Sequence, residues 1–588
     1  MVLLTGDAGS ASGDLLDPLA AFGPAIPAFQ ACGYTDAAAY PKRPRLGRFD
    51  YLVPEAAETV GPDGRTAALD VLAHAMIGGD DARGESAIPA VFTYFGLFID
   101  HDIAAKTAMG PIALEADEAD IEPLERVQAV GAVGNLRRGT LNLDSVYGGG
   151  PEQGPLARKL AAALRWPADR AKLRAGTLVP SGETPVPVPS DERDVARDLL
   201  RLDEAIGTGP GDLNEAELRA LCPDLRRLFF DGASLRRQRA IIGDMRNDQN
   251  LALAQFHLAI LRLHNVIVDE AEHHNVADDE DTRFRWARER TTWHYQWLVA
   301  NAYLPAIYDA HILDEVATDG PRLYDAFAAR LDGGEDGLLP LPLEFSAAAF
   351  RFGQCMMRDR YDWSRAFPQA NGGAPFDLLS QFTGYGQPPM PCREGGIFPR
   401  LPDNLPVEWD RLVHPVTSRW PARSARRIDT RLAPARPLGP VDVTAPHRRM
   451  RDIASRTLRR GLRFNLPSAQ ALIRAIGKHH QIHVPVLSPD QLRSGHTRAA
   501  VEAGGFHEDT PLWFYVLKEA EMLGADGRLG PLGSRLVADT LTGLIRHDRS
   551  SYWFATDIPG GWHPKDSVRP DCVIIDSVPA LMRAARLR

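Results

Sequence analysis

Four stretches of this chain hold residue types that can do chemistry. In the first, Phe92–Ile103 reads FTYFGLFIDHDI, so Asp100, His101 and Asp102 end an aromatic, apolar run. Three ionisable groups there are costly unless each finds a partner. A histidine flanked by acids is, taken alone, a satisfied structural residue. The second stretch, Gly243–Asn250, reads GDMRNDQN and leads straight into LALAQFHLAILRLHN. A polar turn before an apolar run is a capped helix start, with Asn247 or Asp248 as the capping side chain and Arg246 just ahead of the run. His257 and His264 lie seven apart and share one face of that helix, where packing accounts for them better than ligation. The third stretch, Ala347–Trp363 (AAAFRFGQCMMRDRYDW), and the fourth, Gly461–Ala475 (GLRFNLPSAQALIRA), carry no chemical signature in isolation. His479, His480 and His483 have metal-like spacing, but a surface turn is the better reading.

Helices must position these residues, because helical patterns dominate the chain. Pro155–Leu164 is a short one, with Pro155 suited to the first helical position. Asn214–Phe230 repeats apolar residues at Leu218, Leu221, Leu225 and Leu228. Leu251–Glu272 carries an apolar stripe and Thr282–Asp309 is long and aromatic-rich; Thr510–Leu523 and Gly533–Ile545 follow the same period. Alternating strand patterns are few. Gly/Pro-rich connections, Gly148–Gly154 and Gly384–Pro391 among them, separate the helices. Residues 1–50, rich in Ala, Gly and Pro without periodicity, read as an N-terminal arm. With no internal repeat and no linker in the middle, residues 51–588 read as one large, mainly α domain with long loops and little β structure.

Composition sets the bounds. At 588 residues more than one domain is the default, so a single domain rests on the missing linker. Hydrophobic residues make up 44% and charged residues 24%, the mixture of a globular protein. A formal charge of −10 leaves no basic surplus to neutralise phosphates, which argues against nucleic-acid binding. The arginines from Arg423 to Arg431 read as solvated surface. Met1 to Leu15 shows no basic region followed by an apolar one, hence no signal peptide, and no stretch reaches the roughly 18 apolar residues of a membrane span. Cys32, Cys222, Cys355, Cys392 and Cys572 form no CxxC pair and no even framework, which suits reduced thiols and a cytoplasmic protein.

The order and spacing of the four stretches resemble the animal haem peroxidases, the peroxidase–cyclooxygenase superfamily. LDSVYGGGPEQ at Leu143–Gln153, TPLWFYVLKEAEMLG at Thr510–Gly524 and RLGPLGSRLVADTL at Arg528–Leu541 also look like segments of its bacterial members. The blocks run in family order from about residue 90 to 550. The resemblance implies a helical haem-peroxidase fold and haem b. It matches His101 to the distal histidine and Arg246 to the distal arginine. An imidazole near neutrality can take a proton from one peroxide oxygen and give it to the other, and a fixed guanidinium stabilises charge on the leaving oxygen. Asp100 matches a carboxylate that some members esterify to a haem methyl. Asp102 matches a calcium ligand, with Asn142 and Asp144 as oxygen partners.

The same resemblance exposes departures. Where the family carries its proximal histidine, after Arg-aromatic-Gly, this chain has Gln354 behind Phe350–Gly353. A neutral amide is a poor iron ligand beside an imidazole. The residue that would hydrogen-bond that imidazole looks like Gln470. Gln249 replaces a second ester-forming Glu, leaving Asp100 as the one candidate for such a link. Leu97 replaces the distal glutamine linked with halides. Arg351 stands where cyclooxygenases carry a radical tyrosine, which disfavours fatty-acid dioxygenation. Cys355 as a thiolate ligand would need a register slip, since neighbouring helical residues point about 100° apart. The expected function is a haem-binding oxidoreductase of peroxidase type, acting on hydrogen peroxide and a small-molecule donor. The rivals are a degenerate pseudo-peroxidase serving as scaffold, and a haem enzyme repurposed for another oxidation.

Overall fold

The computed structural model describes residues 47–56, 64–78, 85–108, 120–148, 155–183, 185–186, 196–209, 211–221, 226, 228–331, 338–368, 373–381, 398–414, 421–433, 453–555 and 562–588. Most of the N-terminal arm, the Gly384–Pro391 connection and residues 149–154 lie outside these, as do Cys32, Cys222 and Cys392. The expected mainly α fold is what is found. The long elements are helices: α1 (Arg65–Met76), α2 (Val91–Ile103), α3 (Leu251–Asp269), α4 (Glu280–Leu298), α5 (Ile453–Arg463), α6 (Ala469–Ala475), α7 (Leu512–Leu523) and α8 (Pro531–His547). Strands are short. The largest sheet has four: β1 (Gly47–Asp50), β2 (Lys106–Ala108), β3 (Val133–Asn135) and β4 (Leu341–Pro342), in the order β4-β1-β3-β2. Only β1 and β4 run parallel, with Phe49 opposite Leu341. This small sheet clamps the end of α2 to the segment that follows β4.

Helix α3 is the core axis. This 19-residue helix reaches a mean hydropathy of 1.5, which would suit a membrane span, but 94% of that apolar stretch is buried inside the protein, so the composition serves packing. Aromatic rings lock α2 and α4 onto it: Phe95 and Phe98 lie 4.9 and 5.3 Å from Phe256, and Tyr295 lies 5.7 Å from Phe98. A π-helical turn, Val299–Tyr303, ends α4 and brings the Tyr303 hydroxyl over Gly96, where a Cβ would sit 2.5 Å from it.

Two sequence expectations fail on the fold. The helix expected over Asn214–Phe230 spans Glu215–Arg219 with Asn214 as its cap, and Phe230 lies in a strand. The arginines of 423–431 are not a solvated surface cluster: Arg426 is buried, and Arg423, Arg427 and Arg431 are half-buried. Arg423 pairs with the fully buried Asp362 at 2.8 Å, and Arg426, 1% exposed, pairs with Asp429 and donates to the Arg431 carbonyl. Buried counter-charges, Asp362 distant in sequence among them, pull them inside.

Glu519 on α7 is wholly buried and accepts N–H bonds from Leu532 and Gly533 at 3.0 and 3.1 Å, in the first turn of α8. Gly530 leaves room for it, since a Cβ there would meet Glu519 Cγ at 2.5 Å. Burial outweighs those two N–H donors and pushes its carboxyl up to about 8 from 4.5. The proton is therefore bound more tightly in the folded chain. Its contribution to stability is complete below about pH 4.5 and disappears as pH rises through about 8. The Glu519→Gln variant, neutral throughout, should lack that decline, which is worth at most ~1.4 kcal/mol for each pH unit in the window. Urea midpoints of both proteins at several pH values check this; parallel profiles would reject it.

Candidate active site

His101 closes α2, a helix whose other faces are spent on the aromatic core. The imidazole is fully buried. Its Nδ1 lies 2.9 Å from Asn247 Oδ1, while Nε2 has no hydrogen-bond partner. Burial first, and the nearby Arg246 second, push its pKa down to about 3, so the ring is neutral and Nε2 is free to act as a base. Beside it Asp100 is raised to about 6 by burial, against the pull of Lys106 and Arg246.

Arg246 sits in a short 3-10 turn, Met245–Asp248, ahead of α3. Its guanidinium is held on one side by Asp244, at 2.6 to 3.1 Å, and on the other by the carbonyls of His101 and Ala104 at 3.1 and 2.8 Å. Arg137 forms the second arm of this clamp, pairing with Asp244 and donating to the His101 carbonyl at 3.2 Å. Burial opposes the charge on Asp244, but the two guanidiniums prevail and hold its carboxyl far below the usual range. The capping expectation for this turn is corrected: Asn250 caps α3 through Leu253 N–H, Asp244 caps the 3-10 turn, and Asp248 pairs with the buried Arg201. Asn247 is spent on histidines. Gln249 ends the turn, half-buried, its backbone N–H donating to the Arg246 carbonyl.

The segment after β4 packs against α2 and forms a second wall. Gln354 lies in a 3-10 turn, Ala349–Met356, and its Oε1 is 3.4 Å from Thr457 Oγ1 on α5. Gln470 is not its partner: it exchanges two bonds with Thr510, at 2.7 and 3.0 Å, at the other end of the α5–α6 connection. The reason is geometric. Thr457 is on the helix that faces Gln354, whereas Gln470 opens the next one and turns toward the α7 lead-in. Cys355 is a buried thiol that donates to Phe352 O, and burial raises it to about 12, so no thiolate is on offer at neutral pH.

The two walls are joined. Lys106 on β2 donates to the Ser346 carbonyl at 3.0 Å, and Arg351 donates to the same oxygen at 3.1 Å. Burial lowers the Lys106 ammonium to about 8, with Asp100 acting against it. Tyr303 adds a second bridge, its hydroxyl over Gly96 on α2 and its ring 6.4 Å from Phe350. Asn247, Asp244, Arg137, Lys106 and Thr457 were missed in the sequence. The signal existed only for Asn247 and Asp244, which neighbour Arg246.

Asp102 points away from this site. Its carboxylate accepts N–H bonds from Leu143 and Ser145, both 3.1 Å, and burial together with Asp144 raises it to about 7. Asn142 Oδ1 and Asp144 Oδ1 are buried without hydrogen-bond partners, while Arg138 and Arg288 stand 3.7 and 3.8 Å from Asp144. Among the described residues no three His, Cys, Asp or Glu side chains converge.

For a haem group the fit is one-sided. The orphaned His101 Nε2 suits the face where peroxide would bind. The second wall offers an amide, a protonated thiol and a guanidinium, and no imidazole among its described residues.

Residues 210–382 match the animal haem peroxidase family. The fold is similar to that of peroxidase A from Dictyostelium discoideum, with a TM-score of 0.53 at 14% identity over 92% of this chain and 93% of that one. Fatty acid alpha-dioxygenases from Arabidopsis thaliana (TM-score 0.44, 11% identity, 92% and 75% covered) and Oryza sativa (0.43, 12%, 92% and 79%) are more distant. No curated protein matches the sequence. At such identities the structural likeness speaks for fold and not for substrate. The match to the animal haem peroxidase family thus covers residues 210–382, and the likeness in fold extends over most of the chain.

Proposed function

We propose that this protein is a haem b-binding oxidoreductase that uses hydrogen peroxide to oxidise a small-molecule donor, without protein imidazole on the proximal face. The observation that carries this reading is the state of His101: neutral, anchored through Nδ1 and bare at Nε2. Such a ring can take a proton from one peroxide oxygen and hold it for the other. Arg246, fixed by Asp244, adds positive charge next to it without having to reorganise. Haem would supply the iron redox chemistry. Any ester link would run through Asp100, the carboxylate that matches the family's, Gln249 being an amide. Asp102, Asn142 and Asp144 offer hard oxygens of the kind calcium takes.

The test is spectroscopic. Purified protein supplemented with haem should show a Soret band at one haem per chain, and its electron paramagnetic resonance should lack an imidazole-ligated signal. His101→Ala should then lower peroxide-dependent oxidation by about 10²–10⁴-fold while the band persists. No Soret band after supplementation, or full activity in His101→Ala, would overturn the proposal. The first outcome favours the pseudo-peroxidase, a reading that draws on Gln354 resting against Thr457 and on the committed guanidinium of Arg246.

A further inference from the structure

Asn247 has no capping duty, because Asn250 and Asp244 perform it. Its side chain instead lies between two imidazoles. Oδ1 is 2.9 Å from His101 Nδ1, and Nδ2 is 3.1 Å from His257 Nδ1 on α3. All three side chains are at 0% exposure, so water does not substitute for either bond. We propose that Asn247 is a positioning residue that holds His101 as its Nδ1–H tautomer, and that His257 sets the orientation of the amide that does so.

The two ends of an amide differ in what they can do. Its oxygen only accepts and its nitrogen only donates. Facing Oδ1, the His101 Nδ1 must carry the hydrogen, and a neutral imidazole has only one. The lone pair is therefore on Nε2, the atom without a partner. Facing Nδ2, the His257 Nδ1 must accept, which puts that ring's hydrogen on Nε2, also unpartnered. Turning the amide over would invert both tautomers together and make His101 Nε2 a donor, useless as a base. His257 is itself held in place, its ring edge-on to Phe98 at 6.1 Å. The charged groups around the pair, Asp244, Arg246 and Arg137, leave both rings neutral because burial dominates.

This inference rests on His101 being the base, but its test does not need haem. Long-range proton–nitrogen correlation spectra of protein labelled with ¹⁵N-histidine, recorded at pH 7 with and without haem, report each ring's tautomer. The expected result is Nδ1–H for His101 and Nε2–H for His257. In Asn247→Asp the carboxylate accepts from both sides, so His101 stays Nδ1–H while His257 inverts to Nδ1–H. In Asn247→Leu the His101 preference is lost, and turnover of the haem-loaded protein drops by about tenfold or more with KM unchanged. Nε2–H on His101 in the parent protein, or an unaltered His257 in Asn247→Asp, would overturn the proposal. Absence of a Soret band would defeat the haem reading and leave these spectra standing. If Asn247→Leu fails to fold, the isosteric Asp variant still decides the matter.

Discussion

Gln354→His is expected to tighten haem binding and raise peroxide-dependent turnover, each by about a hundredfold or more. Losing even an outer partner of a metal ligand commonly costs 10–100-fold, and here a ligand itself would be supplied. An imidazole at 354 would donate to iron far better than an amide does. The surroundings are ready for it. Thr457 has one hydroxyl hydrogen, and the Ile453 carbonyl takes it at 2.8 Å. That leaves Oγ1 as an acceptor toward residue 354, which it already approaches at 3.4 Å. A histidine there could donate Nδ1–H to Thr457 and present Nε2 to the metal. On the other face, His101 and Arg246 need no change. Haem titration followed by the Soret band measures the first effect, and oxidation of a chromogenic donor the second. If His101→Ala on this background abolishes the gain, the two walls work on one group. A variant that binds no haem and stays inactive would show the space between the walls to be filled, and would make the scaffold reading the better one.

How much of this was legible beforehand depends on the distance over which each contact acts. The run FTYFGLFIDHDI announced its own helix, with His101 in its last turn. Arg246 was legible as well, since family order fixes it before α3. The partners were not. Thr457 is 103 residues from Gln354, Arg137 is 107 from Asp244, and His257 meets His101 only through Asn247, which is 146 residues from it. No local pattern encodes such pairs. Gln470 was matched to that role through the family resemblance, and the fold turned it to Thr510 instead. Asn247 was read as a cap because caps are local and its true bonds are not. Arg426 was read as surface because its exposure depends on how β-structure and buried acids fold around it.

The largest effect on stability should come from Asp244. This single buried carboxylate answers two guanidiniums, the buried Arg137 at 3% exposure and the half-buried Arg246. Both of those also hold the backbone at the end of α2, through the His101 and Ala104 carbonyls. Asp244→Asn keeps the volume and the cap on Arg246 N–H but removes the charge. Two cations would then face each other in a site that excludes water, and removing one partner of a buried pair typically costs ~3–5 kcal/mol. The urea midpoint of Asp244→Asn should fall accordingly. Arg137→Gln in the same background should return part of the loss, because it removes one of the two uncompensated charges, and a double-mutant cycle measures how much. The carboxyl also biases the site, since its charge opposes the guanidiniums that keep a proton off His101. If Asp244→Asn lies within ~1 kcal/mol of the parent and the cycle shows no coupling, the clamp is not what fixes α2 against the 3-10 turn. The position of Arg246 would then have to be set by its other bonds, those to the His101 and Ala104 carbonyls among them.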